Sequence, residues 1–143
     1  MKKTLLLLVA SLALAVSCSV PEQVQVSIDS AFLTHYIQAQ EALAADDYET
    51  ARGALAELAE NKSGGDEMNE LTRKAAQAED INAMRNAFKP LSKQAVKQDL
   101  PEGVVVAYCP MLRARWLQKD GDVANPYYGE SMLTCGRIEK KAE

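Results

Sequence analysis

Apolar residues recur at helical spacing from about position 28 to position 95, and the pattern changes abruptly after residue 100. Ile28, Phe32, Tyr36, Ala39 and Leu43 follow one another at steps of 4, 4, 3 and 4, which lines up one apolar stripe on a helix face. A second stripe comprises Tyr48, Ala51, Leu55 and Leu58, and Asp46 followed by Glu49 has the form of a capping box at its start. Asn61-Lys62-Ser63-Gly64-Gly65 ends that helix, since glycine readily takes the left-handed conformation that stops one. Asp66 opens a long third segment in which Leu71, Ala75 and Ala78 run on into Ile81, Met84, Phe88, Leu91 and Ala95, with one irregular step near Asp80. Pro90 lacks an amide proton and predicts a kink, or the start of a fourth helix, at about its own position. Short connections favour antiparallel neighbours. The expected fold is mainly α, an antiparallel three- to four-helix bundle over residues 27–100. The first helix pair has no second copy, which argues against a repeat array.

At Asp99-Leu100-Pro101-Glu102-Gly103 alanine-rich helix gives way to Val104-Val105-Val106 and then to turn residues. Residues 104–107, 112–118 and 137–139 read as short strands. Lys119-Asp120-Gly121-Asp122 and Asn125-Pro126-Tyr127-Tyr128-Gly129 read as turns. This small irregular β-containing tail, 101–143, is too short to bury a core of its own and is expected to pack on the bundle as part of one domain, 27–143.

The N-terminus changes the picture of where this domain resides. Lys2 and Lys3 precede an apolar run over residues 5–14, too short to span a bilayer and of signal-peptide form. It ends at Ala15-Val16-Ser17-Cys18, which suits either ordinary signal peptidase or bacterial lipoprotein processing with lipid on Cys18. Cysteine arithmetic favours the lipoprotein. Lipidation of Cys18 leaves Cys109 and Cys135 as an even pair, whereas otherwise a free thiol sits in an oxidising compartment. The expectation is a signal peptide over 1–17, a tether over 18–26, and a periplasmic domain held to a membrane by lipid. Ser19 after the cysteine favours the outer membrane.

Removal of residues 1–17 leaves 14 basic against 20 acidic residues, a mature charge of −6. An acidic surface argues against nucleic acid and against a basic membrane-docking face.

Candidate chemistry lies in the tail. Tyr108-Cys109-Pro110-Met111 and Ser131-Met132-Leu133-Thr134-Cys135-Gly136 each bring one thiol and one thioether within three residues. Sulfur of both kinds selects a soft cation, so Cys109, Met111, Met132 and Cys135 form a candidate site for Cu(I) or Ag(I). Zinc favours four Cys or His ligands and rarely takes methionine. The competing reading is a structural disulfide between Cys109 and Cys135, closing a 26-residue separation and worth about 3–4 kcal/mol by the chain-entropy argument. Both readings stay open, and a disulfide resting form that loads metal on reduction would join them. Met68 and Met84 lie on helical stripes and read as core. His35 is the single histidine and reads as a surface or packing residue before a ligand. Tyr108, Trp116, Tyr127 and Tyr128 read as glue between tail and bundle, with a contact to Cu(I) or an exposed binding face as the alternative. The carboxylates Glu41, Asp46, Asp47 and Glu49 read as solvated helix ends. With one histidine, no Gly-x-Ser-x-Gly elbow, no phosphate loop and no zinc signature, no catalytic constellation can be assigned, and a binding or accessory protein is expected instead of an enzyme.

Taken in order and spacing, Tyr108-Cys109-Pro110-Met111, Trp116-Leu117, Asn125-Pro126-Tyr127-Tyr128-Gly129 and Met132-Leu133-Thr134-Cys135-Gly136 resemble a bacterial periplasmic domain family of unknown function. That domain occurs alone in small lipoproteins and appended to periplasmic adaptor subunits of copper/silver efflux pumps of the RND type. The family's helical part ends in an Arg-x-x-Phe-x-x-Leu-Ser pattern, matched by Arg85, Phe88, Leu91 and Ser92. The resemblance covers about residues 30–139 and implies heavy-metal handling in the periplasm, with an efflux-pump or envelope protein as partner. One departure stands out: Leu112-Arg113-Ala114-Arg115 is shorter and more basic than the family's polar, glycine-containing loop at that place.

Overall fold

The computed structural model describes residues 28–62 and 64–141. The expected signal peptide, Cys18 and the expected tether lie outside the described residues.

Side-chain caps decide where the helices begin. Asp29 accepts the Phe32 amide at 2.7 Å and opens α1, Ser30–Ala44. Asp47, not Asp46, caps α2, Tyr48–Asn61, by accepting the Thr50 amide at 3.0 Å. The capping box expected at Asp46 is therefore displaced by one residue, and Asp46 sits in the connecting turn with φ 57°. Lys62, at φ 56°, supplies the left-handed C-cap of α2 that glycine was expected to provide.

The long third segment is two helices, α3, Gly65–Ala76, and α4, Ile81–Ala95. The break falls at Asp80, whose carboxylate accepts the Asn82 and Ala83 amides at 2.8 Å each and so stabilises a new N-terminus. Pro90 lies inside α4 on its exposed side, and no helix begins there.

The expected strands are present: the first and third are longer than expected, and the second starts two residues later and ends one later. They are β1, Val104–Cys109, β2, Ala114–Lys119, and β3, Arg137–Lys141, in the order β2-β1-β3 with both pairings antiparallel. A short 3-10 turn, η1, Gly129–Met132, precedes β3.

Consecutive helices pack on one another, and β2 lies against α4 and α1. Every residue of the first stripe, Ile28 through Leu43, is buried, as are Ala51, Leu55, Leu58, Met84, Phe88, Leu91 and Ala95. Trp116 and Leu117 of β2 are sealed in the same core. Full burial of side chains as large as Phe88 or Trp116 stabilises the fold by about 2–3 kcal/mol each. Among the described residues no helix is long and apolar enough to cross a membrane.

Candidate functional site

Strand register explains why two cysteines 26 residues apart meet. Cys109 is the last residue of β1 and pairs with Ala114 across a turn formed by Pro110, Met111, Leu112 and Arg113. On the other side of β1, Ala107 pairs with Ile138 and Tyr108 with Arg137. The next step along that ladder sets Gly136 beside Cys109, with Cys135 immediately before it. Gly136 is required there: a Cβ would come within 3.0 Å of the Trp116 ring and of the Tyr108 carbonyl.

Three of the four candidate sulfurs are thereby gathered. The Cys109 and Cys135 Sγ atoms lie 3.4 Å apart as free thiols in hydrogen-bond contact, and Cys135 Sγ lies 3.7 Å from Met111 Sδ. Cys109 is fully buried, Cys135 is half-buried, and Met111 is 64% exposed. Met132, half-buried on η1, joins through its backbone, its carbonyl accepting the Cys135 amide at 3.0 Å. Among the described residues no three His, Cys, Asp or Glu side chains converge, so His35 does not join the two thiols. Its buried Nδ1 has no hydrogen-bond partner among the described residues.

The two thiols differ electrostatically. Burial pushes the Cys109 thiol up, but donation from the Leu112 and Met111 amides, the Cys135 thiol and the Asn125 side chain outweighs it and holds Cys109 below its ordinary range. Cys135 is pushed up, chiefly because its hydrogen bond to Cys109 holds its proton, with burial and the neighbouring charge adding to this. Of the two thiols, Cys109 is therefore the one that gives up its proton more readily.

Asn125 organises this arrangement from a fully buried position. Its Nδ2 donates to the Cys135 carbonyl at 2.6 Å, its Oδ1 accepts the Tyr127 amide at 2.9 Å, and its own amide donates to the Leu133 carbonyl at 2.7 Å. The Asn125-Pro126-Tyr127-Tyr128-Gly129 loop is in turn held by the helices. Gln40 Nε2 on α1 donates to the Ala124 carbonyl at 2.7 Å, and Arg85 Nε on α4 donates to the Pro126 carbonyl at 3.1 Å. Arg85 also donates to the Leu43 carbonyl at 2.7 Å and pairs with Asp46, whose second oxygen accepts the Glu130 amide at 3.2 Å. Asp46 is thus a partner of Arg85 and η1, and its assignment to a solvated helix end is corrected.

Aromatic packing completes the support. Tyr36 stacks on Phe88 at 5.0 Å between ring centres, Phe88 meets Tyr127 at 6.4 Å, and Trp116 meets Tyr127 edge-on at 5.7 Å. The Tyr36 hydroxyl lies 2.6 Å from Ser92 Oγ and accepts the Leu117 amide at 3.3 Å. Burial pushes its ionisation well above the ordinary tyrosine range. Each residue of the Arg85, Phe88, Leu91, Ser92 pattern therefore holds tail to helices or fills the core between them. Trp116 and Tyr127 are glue, as expected. Tyr108 is not: its ring lies 4.6 Å from the Arg115 guanidinium and 4.8 Å from that of Arg137, at the outer side of the sheet.

Gln40, Arg85, Asp46 and Gln118 did not stand out as structural partners in the sequence. Gln118 accepts from Trp116 Nε1 at 3.0 Å and donates to the Asp122 carbonyl at 2.9 Å, which pins the turn before Asn125. Their signal was weak because polar residues on helices and strands look solvated until a loop is known to cover them.

No family model matches the chain, and neither a curated protein nor a solved structure does.

Proposed function

We propose that the protein is a periplasmic lipoprotein whose reduced tail binds a soft monovalent cation, Cu(I) or Ag(I), and serves metal handling or efflux. The observation that carries this reading is the approach of two thiols and a thioether, with sulfurs 3.4 and 3.7 Å apart. Metal–thiolate bonds are about 2.3 Å long for zinc, so sulfurs sharing one tetrahedral cation sit about 3.8 Å apart, close to these separations. Cys109 supplies the better ligand because it loses its proton more readily than Cys135, and a thiolate neutralises the cation's charge. Met111 adds softness without charge and faces solvent, where a cation would enter or leave. Met132, whose carbonyl accepts the Cys135 amide, is the proposed fourth ligand. The four helices, read as an antiparallel bundle, act as the frame. The resemblance to a domain appended to copper/silver efflux adaptors points the same way, as do the export signal and Cys18. Radiolabelled fatty acid should be incorporated by the wild type and not by Cys18→Ala.

A Cu(I) competition titration on reduced and oxidised mature chain tests the site. One tight site in the reduced form should vanish in Cys109→Ser with Cys135→Ser and weaken less in Met111→Leu with Met132→Leu. Equal weak uptake by wild type and the cysteine double variant would refute the metal reading.

The same sulfur proximity favours one second reading, an accessory module stapled by a Cys109–Cys135 disulfide that binds an efflux or envelope partner without metal. It predicts one stable disulfide and no metal uptake in either redox state.

A further inference from the structure

Lys89, Lys93 and Lys97 line one side of a groove of about 550 Å³, and Arg113 and Arg115 of the β1–β2 hairpin line the other. The floor between them is apolar, built from Pro90, Val96, Leu112 and Ala114. The chain carries a net charge of −4, yet five of its 16 basic residues border this one concavity. Among the described residues only Arg115 of the five is paired with a carboxylate, Glu139 at 2.7 Å. Lys97 reaches the amide oxygen of Gln94 at 2.7 Å, and Lys89 that of Asn86 at 3.2 Å, with its ammonium 5.9 Å from the centre of the Tyr127 ring. Lys89 and Lys93 lie at i, i+4 spacing within α4, where like charges repel, and Lys97 follows just beyond its end. Four of the five cations around the groove thus lack a carboxylate partner among the described residues.

We propose that the groove docks an acidic amphipathic segment of a partner protein, whose carboxylates meet the cationic rim while its apolar side chains cover the floor. Concavity favours a peptide over an anionic membrane. A flat bilayer would meet the lysine and arginine ends and leave half-buried Val96 and Leu112 untouched. The exposed Met111 directly precedes Leu112, so a docked segment lies against the turn that carries the thioether. The proposal holds with or without metal at the sulfurs.

A metal-free NMR titration of the isotope-labelled mature chain tests it. The probe is a synthetic peptide with leucines at helical spacing and glutamates elsewhere; the comparisons are its lysine counterpart and phosphatidylglycerol vesicles. The acidic peptide should give saturable shifts at Lys89, Lys93, Val96, Leu112 and Arg113 and move the Met111 methyl signal. Its affinity should fall with salt, and by roughly tenfold in Lys93→Glu with Lys97→Glu. Both lysines are exposed, so that variant should keep the wild-type spectrum; if it does not, Lys93→Gln with Lys97→Gln takes its place. Absence of saturation, equal binding of the lysine peptide, or unchanged affinity in the charge variant would overturn the proposal. Shifts of these residues by vesicles and not by peptide would also overturn it and assign the groove to a membrane.

Discussion

Two glycines should respond to the same substitution with opposite signs. Gly129 has φ +61°, and a Cβ built there would overlap Asp46 Oδ1 and Arg85 Nη2. Alanine in that left-handed conformation costs about 1–2 kcal/mol. Displacing Asp46 also removes a charged acceptor from Arg85 and the acceptor of the Glu130 amide. Hydrogen bonds to charged groups contribute about 1.5–3 kcal/mol each when buried, and because the Asp46 side chain is 44% exposed, screening leaves the two contacts about 1.5 kcal/mol together. Gly129→Ala should therefore destabilise the mature domain by about 3 kcal/mol and lower Tm by roughly 10 °C. Gly53, inside α2, has nothing within 4 Å of a built Cβ, so Gly53→Ala should stabilise by about 0.5–1 kcal/mol. Urea unfolding followed by circular dichroism would measure both. Adding Asp46→Ala to Gly129→Ala should cost less than the two separate changes, because the first makes room for the second. A Gly129→Ala protein within about 0.5 kcal/mol of wild type, or strict additivity with Asp46→Ala, would refute the clamp as the reason for glycine.

Asp46 also gives a pH signature. Its hydrogen bond to Arg85 holds the folded carboxyl below the ordinary range, so its contribution is present above the unfolded value and lost as pH falls through the folded one. Asp46→Asn should thus be less stable than wild type near neutrality, and the gap should close in acid; a gap that widens in acid contradicts the pairing. Asn125→Ala should raise the Cys109 ionisation, seen as thiolate absorbance appearing at higher pH, since an amide that favours the thiolate is lost. An unchanged or lower titration would show that the Leu112 and Met111 amides suffice.

Periodicity identified helices where one face is apolar, and for that reason Ile28 through Leu43 and Met84 through Ala95 were legible. It failed at Asp80 because the apolar stripe hardly falters there; what ends α3 and starts α4 is a carboxylate that satisfies two free amides. As the start of a fourth helix Pro90 misled for the converse reason, since one missing amide on the exposed side of a helix is tolerable when the opposite face is packed. At the candidate site the sequence named Cys109, Cys135 and Met111 by chemistry. That these three sulfurs come together, and that Met132 meets them through its carbonyl, depends on register and on the turn at Asn125. Neither is visible in spacing. The Asp46 side chain lay further out of reach, because its partner Arg85 is 39 residues away and its second partner is a backbone amide 84 residues away.

The long reach of the tail also imposes an order of events. Each helix packs on the one next to it in sequence, so those interfaces close short loops and are expected to form first. Tail docking waits on Leu117 meeting Tyr36, 81 residues away, and Ala124 meeting Gln40, 84 residues away. Until then Cys109 is open to water; afterwards it is sealed at 0% exposure. Oxidants and metal ions therefore reach this thiol most freely in the interval between helix assembly and tail docking. Once the tail has docked, the way to Cys109 leads past half-buried Cys135 and exposed Met111.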